Sequence, residues 1–107
     1  MPTLEQFTEE VRAIVAENSQ FKGTVKFSFP EGTVYVHANK EPAYVDHSNQ
    51  EAECTIHLTL DTAYKILSGE LSNFTAFALG KLKVQGDFAK AALIGQILNQ
   101  TATKGKK

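Results

Sequence analysis

The side chains of this sequence that could do acid–base, metal or nucleophilic chemistry are few and scattered. Its three histidines, His37, His47 and His57, show none of the HxH, HExxH or Cys-x-x-Cys spacings that bring zinc ligands together. Asp46-His47-Ser48 contains the residue types of a hydrolytic triad, but neighbours in sequence do not converge as a triad requires. We therefore expect no metal site, no cofactor and no catalytic triad.

Cys54 is the only cysteine, and it falls at an apolar position of a predicted strand. A cysteine there usually packs as a small hydrophobe, and a nucleophilic role would need nearby positive charge to lower its pKa. One cysteine cannot form an intramolecular disulfide, which favours a reducing compartment. Gly80 and Gly86 enclose a strand and do not form a phosphate-binding loop.

Length and charge narrow the class of protein. The chain has 107 residues, which predicts one domain, and a net charge of −1 from 11 basic and 12 acidic residues. With no charge excess and no tryptophan, we expect no nucleic-acid partner. No apolar run approaches the ~18 residues that span a bilayer, and neither a signal peptide nor a peroxisomal Ser-Lys-Leu end is present. These features favour a cytoplasmic protein.

Hydrophobic periodicity predicts one helix followed by strands in which apolar and polar residues alternate. Thr3 and Gln6 form a capping-box pattern before an apolar stripe, which predicts a helix over residues 3–17. Strict alternation then predicts strands at 24–29, 33–38, around 44–45, at 53–60 and at 81–85. One face of each strand is apolar, whereas His37 and His57 fall on the opposite, water-facing side. One-sided alternation favours a mostly antiparallel sheet.

Three further helices are predicted from caps and glycines at 61–69, 72–80 and 87–99. Their predicted N-caps are Asp61, Asn73 or Ser72, and Asp87. The fold class is therefore α+β, with five strands and helices gathered on one face of the sheet. We expect a single domain over residues 1–100 and a flexible basic tail over 101–107.

The last predicted helix has more apolar surface than a sheet-covering helix needs. Its apolar residues span an arc of roughly 220°, whereas about 100° is enough to cover a sheet. Phe74, Phe77 and Leu79 raise the same question in the short helix before it. The excess must contact a neighbouring helix, an apolar ligand, a membrane or a partner protein.

A set of motifs in the second half of the chain resembles the sterol carrier protein 2 (SCP-2) domain family. These are Cys54-Thr-Ile-His-Leu-Thr-Leu-Asp61, Leu67-Ser-Gly69, Phe77, Gly80-Lys-Leu-Lys and Gly86-Asp87. The resemblance covers the chain from the first helix to Leu98. It implies a five-stranded, mostly antiparallel sheet with helices on one face enclosing an apolar tunnel. It also implies non-covalent binding and transfer of fatty acids, fatty acyl-CoA, sterols or phospholipids, with no enzymatic activity.

The resemblance and the apolar pattern together select the residues expected to line the tunnel. They are Phe27, Val36, Ile56, Phe74, Phe77, Ala78, Leu82, Val84, Leu93, Ile94, Ile97 and Leu98. Lys81 or Lys83 is expected to meet an anionic head group, with transient contact to a membrane surface. Two alternatives stay open. One is an interaction module that presents a lipid to a partner enzyme of lipid metabolism or docks on it through residues 88–98. The other is an enzyme or regulatory domain for a small polar ligand.

Overall fold

The computed structural model describes residues 3–18, 21–39 and 43–105, and side chains in these ranges as far as residue 99. Helices and strands alternate irregularly along the chain, as expected for the α+β class. The elements are α1 Leu4–Glu17, β1 Thr24–Phe29, β2 Gly32–His37, β3 Tyr44–Asp46, β4 Cys54–Leu58, α2 Leu60–Ser68, α3 Asn73–Ala78, β5 Leu82–Gly86 and α4 Phe88–Gly105.

The five strands form one sheet in the order β3-β2-β1-β4-β5. All neighbouring strands are antiparallel except β1 and β4, which run parallel. The register places Val25 beside Val36 on one side and Cys54 on the other, and pairs Ile56 with Val84. Apolar residues therefore share one face across the sheet, and the predicted five-stranded, mostly antiparallel architecture is confirmed.

The segment 47–53 joins β3 at the sheet edge to β4 on the far side of β1, crossing the face opposite the helices. Its polar groups hydrogen-bond to outward side chains of β1 and β2 at 2.9 to 3.3 Å, namely Thr24, Lys26 and Thr33. This crossing covers Tyr35, which is buried although the alternation predicts a water-facing position. Burial raises the pKa of its phenol, with a further contribution from Tyr44. The predicted water-facing side is thus partly covered.

The first helix confirms its predicted cap and stripe. The Gln6 amide N–H donates to the Thr3 hydroxyl oxygen, and the Thr3 N–H donates to the Gln6 side chain, both at 3.1 Å. Its buried apolar residues are Phe7, Val11, Ile14 and Val15. Phe7 contacts the rings of Phe27 and Phe29 edge to face at 5.3 and 5.1 Å, which fixes α1 against β1.

The N-cap of the second helix lies two residues earlier than the sequence predicts. Thr59 is its N-cap, because its backbone is extended and its hydroxyl accepts from the Thr62 N–H at 3.2 Å. Leu60 is therefore the first helical residue and not the last of the strand. Asp61, the predicted cap, lies in the first turn, where its negative charge favours the helix dipole. Gly69 ends the helix in the left-handed region, at φ 84°, as predicted.

The caps of the last two helices follow the prediction. Ser72 caps α3 and accepts from the Thr75 N–H at 3.0 Å. Asp87 accepts from the Lys90 N–H at 3.1 Å at the start of α4. Helix α4 continues to Gly105, past the predicted end near residue 99. Flexibility of residues 101–107 stays a prediction, and residues 106–107 lie outside the described ranges.

Helices α1 and α4 pack on the apolar face of the sheet, and α2 packs against both helices. On α4 the buried positions are Ala91, Ile94, Ile97 and Leu98. Phe88 and Leu93, on the same helix, are half exposed. Part of the wide apolar surface predicted for α4 is therefore buried in the core of the domain, and the rest is exposed to solvent.

Candidate functional site

An apolar cavity of about 220 Å³ lies between α2, α3, α4 and the helix-covered face of the sheet. Its wall contains side chains from both layers of the fold and from α1. The lining residues are Phe7, Phe27, Ile56, Leu58, Ala63, Ile66, Asn73, Phe74, Phe77, Leu82, Val84, Phe88, Ala91, Ala92, Gly95 and Leu98. Asn73 is the one polar side chain among the described residues that line it.

The cavity exists because α3 is short and places its aromatic residues over the sheet edge without filling the space beneath them. Of its six residues only Ala76 is buried. Leu82 and Val84 on β5, the neighbouring edge strand, are only half buried. On α4, Ala91 and Ala92 line the cavity with small side chains, which leaves room there. The side chains between α3, β5 and α4 are therefore too small or too exposed to fill the space between these elements.

A polar clamp holds α4 at a fixed distance from α2 and α3. The Asn99 side-chain amide donates to the Ile66 carbonyl at 2.8 Å, and its oxygen accepts from the Asn73 N–H at 3.1 Å. Gly95 lies against the Asn73 side chain, so close that a Cβ there would be 2.8 Å from Asn73 Nδ2. Gly95 and Asn99 together allow α3 and α4 to meet at one end of the cavity while it stays open at the other.

Aromatic rings form the open end of the cavity. Phe74, Phe77 and Phe88 line it but are 63%, 48% and 55% exposed. Phe77 and Phe88 contact each other edge to face at 5.6 Å, across the gap between α3 and α4. Ala92, one turn after Phe88, is exposed and also lines the cavity. We call this opening, formed by Phe74, Phe77, Phe88 and Ala92, the mouth.

Seven of the predicted tunnel residues line the cavity, and five do not. The seven are Phe27, Ile56, Phe74, Phe77, Leu82, Val84 and Leu98. Val36, Ile94 and Ile97 are buried in the core and do not line the cavity. Val36 lies on β2, which β1 and β4 separate from β5. Ala78 and Leu93 are exposed on the outer sides of their helices.

The lining residues that were not predicted have modest sequence signals. They are Phe7, Leu58, Ala63, Ile66, Asn73, Phe88, Ala91, Ala92 and Gly95. Most are ordinary core positions that happen to border a void. The recognisable signal is the run of small residues after Phe88, since alanine and glycine on one side of an otherwise bulky helix leave space.

The two lysines proposed for head-group binding differ in position. Lys83 faces away from the cavity, because it pairs across the strands with His57 on the outer face of the sheet. Lys81 is exposed in the turn between α3 and β5. It directly precedes Leu82, which lines the cavity. Among the described residues, neither lysine makes an ion pair. Only Lys81 is placed to reach a ligand at the mouth.

The histidines do not form a catalytic group. His57 contacts Gln85 at 3.0 Å, and His37 stacks on Tyr44 at 5.0 Å. His37 lies opposite Thr24 and His57 beside Ser28 on the intervening strand. Two strand spacings and four residues of rise separate them by roughly 16 Å. A shared site for a small polar ligand is therefore not formed by this pair.

The Asp46-His47-Ser48 sequence forms local loop contacts. The Ser48 hydroxyl donates to Asp46 at 2.8 Å, and the Ser48 N–H donates to the same oxygen at 3.0 Å. His47 Nε2 lies 2.8 Å from the Thr8 hydroxyl on α1. Serine and histidine thus point to different partners. Within the described ranges, no three His, Cys, Asp or Glu groups are placed to hold a metal ion.

Cys54 is fully buried in β4. Burial, with a smaller effect from the Asp87 charge, raises the pKa of its thiol to about 11. A thiol with so high a pKa is almost entirely protonated near neutral pH, and the thiolate is the nucleophilic form. The geometry accords with the predicted packing role.

The sequence pattern of the SCP-2 sterol transfer family matches residues 2–99. The chain belongs to this family. Family membership and fold together support lipid binding or transfer as the general function of this SCP-2 domain. Among curated proteins, no sequence matches the chain. In the part of the chain that the structure describes, no helix has the length and apolar character needed to cross a membrane.

Solved SCP-2 structures share this fold at low sequence identity. The sterol carrier protein domain 2 of Helicoverpa armigera superposes with a TM-score of 0.75 at 18% identity, over 92% of this chain and 87% of that one. Palmitated SCP2L2 from Aedes aegypti gives 0.73 at 20%, over 90% and 94%. Sterol carrier protein 2 from Yarrowia lipolytica, in its apo form, gives 0.68 at 23%, over 89% and 88%. The likeness concerns the fold.

Proposed function

We propose that this SCP-2 domain binds one aliphatic lipid chain non-covalently in the cavity and transfers it between lipid surfaces. The observation that carries the proposal is the open apolar cavity, whose mouth is formed by exposed aromatic rings and whose described lining residues include a single polar side chain. Such lining side chains gain free energy by burying hydrocarbon and offer no acid–base pair, which favours carriage over a chemical reaction.

The volume favours a single acyl chain. An apolar cavity of about 150 Å³ is enough to bind benzene, and this one has about 220 Å³. At ~30 Å³ per methylene, close to the liquid volume of a water molecule, the cavity holds roughly seven methylenes. Burying seven methylenes gains about 6 kcal/mol at ~0.8 kcal/mol each, which corresponds to tens of µM. We therefore propose fatty acids or fatty acyl-CoA, with sterols and phospholipids as less suitable ligands.

The mouth also suits brief contact with a membrane. Phe74, Phe77, Leu79 and Phe88 are all about half exposed or more, and exposed apolar groups of this kind mark interaction surfaces. Lys81 beside them would add about 1 kcal/mol of attraction to an anionic surface. We propose that lipid enters and leaves while the mouth touches a membrane. A cytoplasmic location and a partner enzyme of lipid metabolism stay predictions.

Fluorescent fatty-acid titration and native mass spectrometry test the binding proposal. We expect one fatty acid per chain in the wild type. The Phe77→Asp variant places a carboxylate on the cavity wall and should abolish uptake. Leu79→Asp is the matched control, because Leu79 lies on the same surface but does not line the cavity. Uptake that is unchanged in a folded Phe77→Asp variant would contradict the assignment of the cavity.

The same control variant separates binding from membrane contact. Transfer of a fluorescent fatty acid between anionic vesicles should be slower for Leu79→Asp than for the wild type, with the equilibrium affinity unchanged. The expected reason is that the new charge opposes contact of the mouth with the membrane but leaves the cavity intact. Equal transfer rates would count against entry at the membrane surface.

A further inference from the structure

One polar side chain lies in the described wall of the cavity, the amide of Asn73. Asn73 is half buried at the start of α3 and lines the cavity among hydrocarbon side chains. Its backbone N–H donates to Asn99 at 3.1 Å. Its side-chain amide has no hydrogen-bond partner in the described part of the chain. The Asn73 side chain also packs directly against Gly95 on α4, so the end of the cavity where α3 meets α4 is polar.

The Asn73 amide is only partly buried, and it is the one side chain in the described wall that can form a hydrogen bond with a ligand. An amide has two N–H donors and a carbonyl acceptor, so it suits a group that can both donate and accept. A hydroxyl does so, whereas an ionised carboxylate only accepts. The described lining residues include no charged side chain, and a buried ion without a partner is strongly disfavoured.

We propose that Asn73 is a specificity-determining residue that hydrogen-bonds an uncharged hydroxyl group of a single-chain lipid. This inference rests on the proposed function and names the class of ligand more closely. Among lipids of equal chain length, those with a neutral hydroxyl bind more tightly than those that lack a hydrogen-bond donor. An ionised head group stays at the mouth, outside the apolar wall.

Displacement of a bound fluorescent fatty acid by 1-decanol and by its methyl ether tests the inference. The ether keeps the chain and the oxygen but cannot donate. We expect the wild type to prefer 1-decanol by about fivefold to tenfold, as one hydrogen bond in an apolar site implies. Asn73→Leu should lose this preference and keep its affinity for the ether. Asn73→Ala should also lose the preference, and its smaller side chain provides the test if the leucine variant does not fold.

Gln96→Leu is the matched control, because Gln96 is an exposed polar residue of α4 that does not line the cavity. It should keep the wild-type preference. Thermal melting of each variant establishes that it is folded. If the wild type binds both probes equally, or if Asn73→Leu keeps the preference, the role of Asn73 is wrong but the proposed function still stands. A wild type that binds neither probe nor the fatty acid would overturn the proposed function and this inference with it.

Discussion

Filling the cavity from its mouth should remove lipid binding without unfolding the protein. Ala92 is exposed at the mouth and its side chain lines the cavity, so Ala92→Trp should place an indole inside. Because Ala92 is exposed, the larger side chain has solvent on one side and need not displace the core. Tryptophan in place of alanine lowers helix propensity by about 0.5 kcal/mol, which a folded domain tolerates.

The expected loss of affinity follows from the volume. An indole is larger than benzene, which occupies a cavity of about 150 Å³, so less than a third of the 220 Å³ remains for ligand. About five of the seven ligand methylenes can then no longer be buried, which lowers the binding free energy by about 4 kcal/mol at ~0.8 kcal/mol each. We expect the dissociation constant of a fatty acid to rise by roughly three orders of magnitude.

Ala89→Trp is the control for this substitution. Ala89 lies on the same helix and is exposed, but it does not line the cavity. Isothermal titration with fatty acids of different chain length should show normal binding by Ala89→Trp and none measurable by Ala92→Trp, with both variants melting cooperatively. If Ala92→Trp binds fatty acids as the wild type does, the ligand does not occupy this cavity and the reasoning is wrong.

Three further predictions concern the parts of the fold that shape the cavity. Asn99→Ala removes the hydrogen bonds from the Asn99 amide to the Ile66 and Leu71 carbonyls and the one that it accepts from the Asn73 N–H. It should lower the free energy of unfolding in urea by about 2–3 kcal/mol, at roughly 1 kcal/mol per lost hydrogen bond. Gly86→Ala should destabilise by more than Gly80→Ala in thermal melting. Both glycines have positive φ, but a Cβ at Gly86 would lie 2.5 Å from the Glu53 carbonyl oxygen, whereas Gly80 faces open space. Burial raises the pKa of the Cys54 thiol from 9.0 to about 11. Between these pH values the thiol ionises in the unfolded state but not in the folded state, so the free energy of unfolding falls as the pH rises from 9 towards 11. Cys54→Ala should lack that part of the decline in urea titrations at pH 8 to 11, and an identical pH profile for both proteins would refute the assignment.

Much of the fold follows from local patterns that tertiary contacts do not override. The capping box at Thr3 and Gln6, the left-handed Gly69 and the alternation of Val25 and Phe27 each specify their element from a few neighbouring residues. The burial of Tyr35 could not be predicted this way. It depends on where the segment 47–53 crosses the sheet, and alternation carries no information about a covering loop.

The cavity was only partly predictable for a related reason. Hydrophobic periodicity separates buried from exposed residues, but it does not distinguish a side chain that borders a void from one that is fully packed. Ile94 and Leu98 lie on the same face of α4, one turn apart, yet only Leu98 lines the cavity. The sequence predicts Asn73 only as a candidate helix cap. Its place in the wall depends on the contact with Gly95, which is distant in sequence.

Contacts between a bound chain and the protein test the central claim most directly. In an NMR experiment with ¹³C-labelled fatty acid, filtered for nuclear Overhauser effects between ligand and protein, the chain methylenes should contact the methyl groups of Ile56, Leu82 and Leu98, which line the cavity. Leu93 and Val36, which do not line it, should show no contacts. Contacts at Leu93 without contacts at Ile56 would place the ligand on the outer surface of α4 and contradict binding in the cavity.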